Sequence, residues 1–509
     1  YGLVVDLGDR GSSDCPRAVR DKLLKELHRR PEFHRAGSKD NPITPTMMIE
    51  DPDTAVVLVQ GEIPAGAPSG TSFDLSVSAI PGTQTTSLRS GYLYHCDLTV
   101  YRMLSAEAGI PGKVLARAEG PVFLNPFSDK PDAATRSNER SGMILGGGMV
   151  TTDRRLRLVL ARPSYGTARA LAAAINNRFP GRTKTADPIS PSYIPLTLPR
   201  EYYSDPLHFL GLVQHLYTTH RPGFADQRIR ALTEEIVRPA ALYEDIALAW
   251  EGLGRRVIPE ISKLFTHHHP SVRFYAARTA LRLGDDVAVE VMADLVADDR
   301  SPHRFDAITA LGQADDQPRA AGPLLALLDD DDPTLRTAAY EALLECGHPA
   351  IATTRIGRGN FSLDLVPSRG ENLIYAKRTG SRRIAVFGSP VRFLPPLFYR
   401  HPNGEITVNA DETDAEMTVL YQDRRSDRLA PPVRLDFDVP KFVALMGSPL
   451  PRHSEAPLGL GRDYGTIIHL LYDMAELRAL NARVIMERPS VGRLFGPRQP
   501  TGRRESELD

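Results

Sequence analysis

Ser72-Phe73-Asp74-Leu75-Ser76-Val77-Ser78-Ala79 alternates without a break. Phe73, Leu75, Val77 and Ala79 lie on one side, and Ser72, Asp74, Ser76 and Ser78 on the other. Successive side chains of a strand point to opposite faces, so this period of two predicts a strand with one buried and one wet face. Upstream, Ala55-Val56-Val57-Leu58-Val59 is apolar throughout and predicts a strand covered on both faces. Pro64, Gly66, Pro68 and Gly70 supply the connection between the two. A helix is expected over about Pro16 to Arg29, where Val19, Leu23, Leu24 and Leu27 share one face. Residues 1–128 therefore read as a β-rich domain. Pro126 to Arg140 is polar and nearly devoid of large apolar residues, as expected of a linker or mobile loop.

Residues 141–222 read as a small αβ module: a strand at Leu156–Leu160, a helix, a strand at Ile194–Leu198 and a second helix over Asp205–Leu216. The first helix carries Ala168, Leu171, Ala172, Ile175 and Phe179 on one stripe; the second has Pro206 in its first turn. The composition then changes. Between 225 and 350 the pair Ala-Leu recurs at 280–281, 310–311 and 342–343, and Pro270, Pro302 and Pro333 each follow an acidic or His-rich turn. Two helices per period of about 30 residues predict an inserted HEAT-like α-solenoid. Such a block is expected to be self-contained, so that its deletion leaves the rest folded. Short strands return over 355–450, with Asn372–Ala376 and Arg383–Phe387 flanking a hairpin loop at Lys377-Arg378-Thr379-Gly380. A C-terminal helix is expected within 460–490, and a disordered tail over 491–509. The fold class is α+β: β-rich domains and a small αβ module, interrupted by the helical repeats.

The chain of 509 residues holds 62 Lys and Arg against 63 Asp and Glu, so no net field draws it to nucleic acid or anionic lipid. Arg154-Arg155 and Arg424-Arg425 read as solvated strand ends. No apolar run approaches the ~20 residues that span a bilayer. Cys15, Cys96 and Cys346 have neither zinc spacing nor the pattern of a disulfide framework; a Cys15–Cys96 bridge stays open.

The chemistry-bearing residue types form no recognisable constellation. Asp6, Asp9 and Asp14 lack the spacing of a calcium loop, and His267-His268-His269 are adjacent, so their side chains diverge. Asp329 to Asp332 reads as a solvated turn. Gly146-Gly147-Gly148 lacks the Lys-Ser/Thr of a phosphate loop and reads as flexible backbone beside a strand. No nucleophile elbow is present. No catalytic residue, cofactor or metal is expected.

Several separated segments, in constant order, resemble the flagellar P-ring protein family. They are Tyr1-Gly2-Leu3-Val4-Val5-x-Leu7, Thr54–Val59 with Ile63-Pro64 and Gly70, Phe73–Ser78, Ser87-Leu88-Arg89-Ser90-Gly91-Tyr92-Leu93 and Val114–Pro121. Ala174-Ile175-Asn176-Asn177-Arg178-Phe179, the hairpin within Leu373–Gly388 and the Asp463–Arg483 helix continue the series. Asp6 and Ser90 each stand where the family pattern has Gly. The resemblance implies a non-enzymatic structural subunit, exported to the periplasm with a signal peptide. It further implies a homo-oligomeric ring around the flagellar rod at the peptidoglycan layer, beneath the L-ring, so that rod and L-ring proteins and peptidoglycan would be its neighbours. Gly2, Leu3, Leu88, Arg89, Gly91, Arg378, Thr379 and Gly380 carry the family motifs and are the expected assembly or core residues, with Gly91 supplying backbone freedom. The helical repeats have no counterpart in the family pattern and would recruit a protein partner of their own; an envelope binding scaffold without a flagellum is the alternative reading.

Overall fold

The computed structural model describes all residues except 30–43, 101–112, 127–138, 219–220, 315–317, 358–359, 403, 423–430, 450–458 and 488–509. Six strands close into a barrel: β1 (Gly2–Val5), β2 (Ala55–Gly61), β3 (Ser72–Ala79), β4 (Tyr92–Thr99), β5 (Val114–Pro121) and β6 (Ser141–Val150), in the order β1-β2-β3-β6-β5-β4. The alternation of β3 holds: Phe73, Leu75, Val77 and Ala79 are buried in the barrel core. β2 is covered on both sides only over residues 55–57, where a second, outer layer lies on it, and Leu58 is exposed. There Val56, with Leu3 of β1, packs against Val19, Leu23 and Leu27 of α1 (Arg17–His28) and Ile49 of α2 (Pro45–Glu50). The β-rich unit does not end at residue 128. β6 lies beyond it and completes the barrel, since β3 and β5 both need a partner on their inner edge. Most of the expected linker, and all of 491–509, fall outside the described residues.

The αβ module follows as β7 (Leu156–Val159), α3 (Tyr165–Arg178), β8 (Tyr193–Leu196) and α4 (Pro206–His215). Ser164 caps α3 by accepting from the Thr167 amide, and Asp205 caps α4 by accepting from the His208 amide. Ile175 and Phe179 pack against Ile194, Leu196 and Phe209, and the same core takes in Leu248 from the next helices.

The described residues of 224–345 form eight α-helices: α5 (Phe224–Ile236), α6 (Tyr243–Leu253), α7 (Ile258–Ile261), α8 (Pro270–Arg282), α9 (Val287–Ala297), α10 (Arg304–Gly312), α11 (Ala321–Leu327) and α12 (Pro333–Glu345). The recurring Ala-Leu pairs fall on α8, α10 and α12, every one buried. Small residues let these helices approach closely: a Cβ on Gly312 would lie 2.7 Å from the Cβ of Ala342.

This stack is not self-enclosed. Its apolar cluster runs without interruption into Val366, Leu373, Tyr375, Ala385 and Phe387 of the strands that follow. Those strands are β9 (Ala352–Ile356), β10 (Phe361–Val366), β11 (Leu373–Ala376), β12 (Arg383–Phe387) and β17 (Arg483–Met486), ordered β17-β11-β12-β10-β9. Because alternate residues face opposite ways, Leu373 and Tyr375 meet the helices while Ile374 and Ala376 enter a different core. That second core holds α13 (Val439–Gly447), α14 (Tyr464–Glu476) and the antiparallel sheet β13 (Leu397–Arg400), β14 (Ile406–Ala410), β15 (Met417–Tyr421), β16 (Val433–Leu435). The expected C-terminal helix ends at Glu476. Arg478 then turns at φ 56°, and residues 483–486 form the strand that pairs in parallel with β11.

A buried polar lock joins α12 to the sheet. Asp364, 0% exposed, accepts 2.6 Å from the Tyr340 hydroxyl and receives both oxygens' contacts from Arg383 at 2.7 and 2.8 Å. Burial and the Asp364 carboxylate hold the Tyr340 phenol well above the ordinary tyrosine range, so it remains a donor. Beside it, Tyr375 donates 2.6 Å to Glu341, which also pairs with Lys377 at 3.2 Å.

Candidate functional site

The family-motif residues gather at two places. The first surrounds β1. Gly2 lies inside the barrel, where a Cβ would come within 2.9 Å of Leu93 and 3.0 Å of Val59. Leu3 points the other way into the outer layer, and Leu88 is wholly buried in the barrel core. Gly91 is required for space and not for backbone freedom. A Cβ there would overlap Val4 and sit 2.7 Å from Leu7, whereas the positive φ of this turn, 60°, belongs to Ser90. Asp6, the other residue standing where the family pattern has Gly, also has φ of 64°. Both turns keep the left-handed geometry with a side chain in place, at a cost to backbone energy.

Arg89 leads from this turn to the C-terminal part of the chain. It pairs with Glu139 at 3.7 Å, and its charge is felt by Tyr399 and His469. His469 on α14 is only 6% exposed. Burial first, then Arg89 and His401, push its pKa down to about 3, so the ring is neutral at ordinary pH. Nearby, Tyr399 donates 2.6 Å to Asp473.

The second place is the β11–β12 loop. Glu487, just after β17, accepts from the amides of Arg378 and Thr379 at 2.9 and 3.0 Å and from the Thr379 hydroxyl at 2.7 Å. Gly380, at φ 66°, turns its amide to Asp74 of β3. The one carboxylate on the wet face of β3 therefore works as a bracket: Oδ1 accepts from Gly146 at 2.6 Å and Oδ2 from Gly380 at 2.7 Å. The β3–β6 register shifts at this point, between Phe73 and Leu75. The three glycines are thus part of β6, where the strand bulges toward Asp74. A Cβ on Gly147 would press on the Glu119 carbonyl at 2.5 Å, and one on Gly148 on the Phe73 ring at 2.6 Å.

An apolar contact strengthens the same seam. The Phe123 and Tyr464 rings lie 5.7 Å apart, and the Tyr464 hydroxyl donates to the carbonyls of Lys377 and Arg383 at 2.5 and 2.9 Å. Asp74, Glu487, Tyr464 and His469 were not identified from sequence. Asp74 alone left a trace, as the single charge in a strand whose wet face is otherwise serine.

A groove of about 970 Å³ lies between α11 and the C-terminal end of β10. Its lining includes Leu325, Leu365, Arg369 and Asp438, with Ser368 hydrogen-bonded to the Leu328 carbonyl and to Arg336. Among the described residues no group of His, Cys, Asp and Glu has metal-binding geometry, no disulfide forms, and no helix is long and apolar enough to cross a membrane.

Comparison with known proteins finds one family over the first part of the chain. Residues 1–229 match the family model described as flagellar P-ring protein. The matched stretch covers the barrel and the αβ module and stops inside α5. The flagellar P-ring protein of Rhodopseudomonas palustris (strain HaA2) is 30% identical over 226 residues, covering 42% of this chain and 55% of the relative. That of Geotalea uraniireducens (strain Rf4) is 28% identical over 229 residues, 43% and 56% of the two chains. That of Syntrophotalea carbinolica is 26% identical over 262 residues, 49% and 63%. The chain thus spans little more than half the length of most of the relatives it matches. The likenesses at Leu373–Gly388 and Asp463–Arg483 lie outside the family-model match. From the first barrel strand through the αβ module, this chain is similar to the flagellar P-ring protein family.

Proposed function

We propose that the protein is a structural subunit of the flagellar basal-body P-ring, assembling with copies of itself into a periplasmic ring around the rod. The family match over residues 1–229, which takes in the whole closed barrel, carries this reading. The barrel's own side chains fill its interior, leaving a rigid block suited to packing between neighbours. In this reading the motif residues act as scaffold. Gly2, Leu3, Leu88 and Gly91 fix the barrel end, Arg89 reaches the seam, and Arg378, Thr379 and Gly380 tie the barrel to the C-terminal sheet. Rod and L-ring proteins and the peptidoglycan would be its neighbours. The helices of 224–345, read as a HEAT-like repeat array, would add a surface for a further protein partner.

Deleting the gene and imaging purified basal bodies tests this reading. Loss of the periplasmic ring and of swimming, both restored by the full chain, is the expected result. Intact rings in the deletion strain would overturn it.

A further inference from the structure

Nine Arg and Lys stand between Arg154 and Arg200, against a single acid, Asp187. In sequence these charges are scattered; the fold collects them on the αβ module, whose two-stranded sheet is covered on one side only. Leu158, Ile194 and Leu196 turn inward to the module's core. Arg157, Val159, Tyr193 and Pro195 line the outer face, in the register Arg157 to Pro195 and Val159 to Tyr193. Arg157 lies 5.2 Å above the Tyr193 ring, and Val159 is 73% exposed. Arg155, Arg157, Arg162 and Arg169 are exposed and enter no ion pair among the described residues. A basic sheet face with an apolar centre is left uncovered.

The opposite charge is on the same chain, in the helices. Residues 285–299 contain six acids and no base. Asp286, the residue just before α9, and Glu290 and Asp294 within it stand about one turn apart, all exposed, with Val287 59% exposed beside them. Like charges at this spacing weaken the helix that bears them, and no ion pair among the described residues relieves them. Nor does any such pair join the two surfaces within one chain.

We propose that the bare face of β7 and β8 docks a second copy of this chain through α9 of that copy. Arg155 and Arg157 oppose Glu290 and Asp294, with Val159 packed near Val287. The two patches differ, so the contact is heterologous and repeats from copy to copy, as a ring requires. This assignment rests on the ring reading above and names the surfaces that would build it. It also gives the helical segment a task in assembly.

Charge reversal in the full-length protein, followed by sedimentation velocity, tests the pairing. Arg155→Glu with Arg157→Glu, or Glu290→Lys with Asp294→Lys, should each weaken self-association by at least ~30-fold, and raising salt should weaken the wild type. Circular dichroism checks that each variant folds. Combining all four substitutions in one chain should restore association. Mixing the two reversed variants should likewise restore growth beyond a dimer, because the unchanged helix of one meets the unchanged face of the other and the two reversed surfaces pair in turn. Wild-type assembly insensitive to every reversal would overturn the pairing while leaving the ring reading intact. Sensitivity to the basic reversals alone, without rescue, would also overturn it and point to another polyanion on the basic face. A wild type that stays monomeric at every concentration and salt would overturn both.

Discussion

The amide of Gly380 donates to Oδ2 of Asp74 at 2.7 Å, across 306 positions of chain. Asp74 belongs to the barrel and Gly380 to the hairpin of the second sheet, so this bond links two cores that form far apart in sequence. The other Asp74 oxygen holds Gly146 at the β6 bulge. Hydrogen bonds to a carboxylate are among the stronger neutral-donor contacts, and leaving the amides unpaired adds to the loss.

Asp74→Ala is therefore expected to destabilise the protein by about 2–3 kcal/mol. Asp74→Asn should cost less, since its single carbonyl oxygen can still accept one of the two amides. Urea titration of the three proteins measures the order. Equal midpoints for all three would show that the bracket contributes nothing.

The turn at Ser90 and Gly91 separates two roles that sequence reading merged. Ser90→Gly removes a side chain from a positive φ and should raise stability by about 0.5–1 kcal/mol, with Asp6→Gly smaller because Asp tolerates this region. Gly91→Val drives a branched side chain into Val4 and Leu7 and should cost about 3 kcal/mol or more. Thermal unfolding that ranks Ser90→Gly below the wild type would contradict this assignment.

Removing residues 225–349 should not leave a cooperatively folded remainder. The deletion strips the cover from Leu373, Tyr375, Ala385 and Phe387 and removes the Tyr340 hydroxyl from buried Asp364. Asp364→Ala alone, which leaves Arg383 half-buried without its partner, should cost about 3–5 kcal/mol. Calorimetry of the deletion protein checks the claim: a sharp transition of near-normal enthalpy per residue would mean that the helices form a separable unit after all.

His469 makes stability depend on pH. Its folded pKa of about 3 lies below the ordinary histidine value, so the unfolded chain binds the proton more readily. The neutral ring's contribution is complete above pH ~6.5 and is lost progressively as pH falls toward the folded value, with a slope of at most about 1.4 kcal/mol per pH unit. His469→Gln should flatten the denaturation midpoint between pH 6.5 and 4 relative to the wild type. An unchanged slope would place the acid sensitivity elsewhere.

Period and spacing made much of this architecture legible. The alternation of Ser72–Ala79, the stripe on α3 and the recurrent Ala-Leu pairs each report a local geometry that the chain repeats every two residues, every turn or every helix pair. They cannot report partners. The pairing of β3 with β6, and of β11 with β17, joins distant segments by backbone bonds that no side-chain pattern encodes. The same gap hid Asp74, Glu487 and His469: an isolated carboxylate or histidine acquires its role only from the amides and charges that the fold brings to it.

By itself the sequence determined that the chain opens with half-buried strands, carries an αβ module and a helical stretch, returns to strands, and shares ordered motifs with one family. These are properties of local periodicity and motif order. The tertiary structure alone decided that the barrel closes with a strand beyond residue 128 and that the helices share their core with the second sheet. It also decided that Arg157 and Val159 share an uncovered sheet face with Tyr193. The physical reason is common to all three. Burial and electrostatic fields depend on distances in space, and a chain whose contacting residues lie hundreds of positions apart sets those distances only by folding.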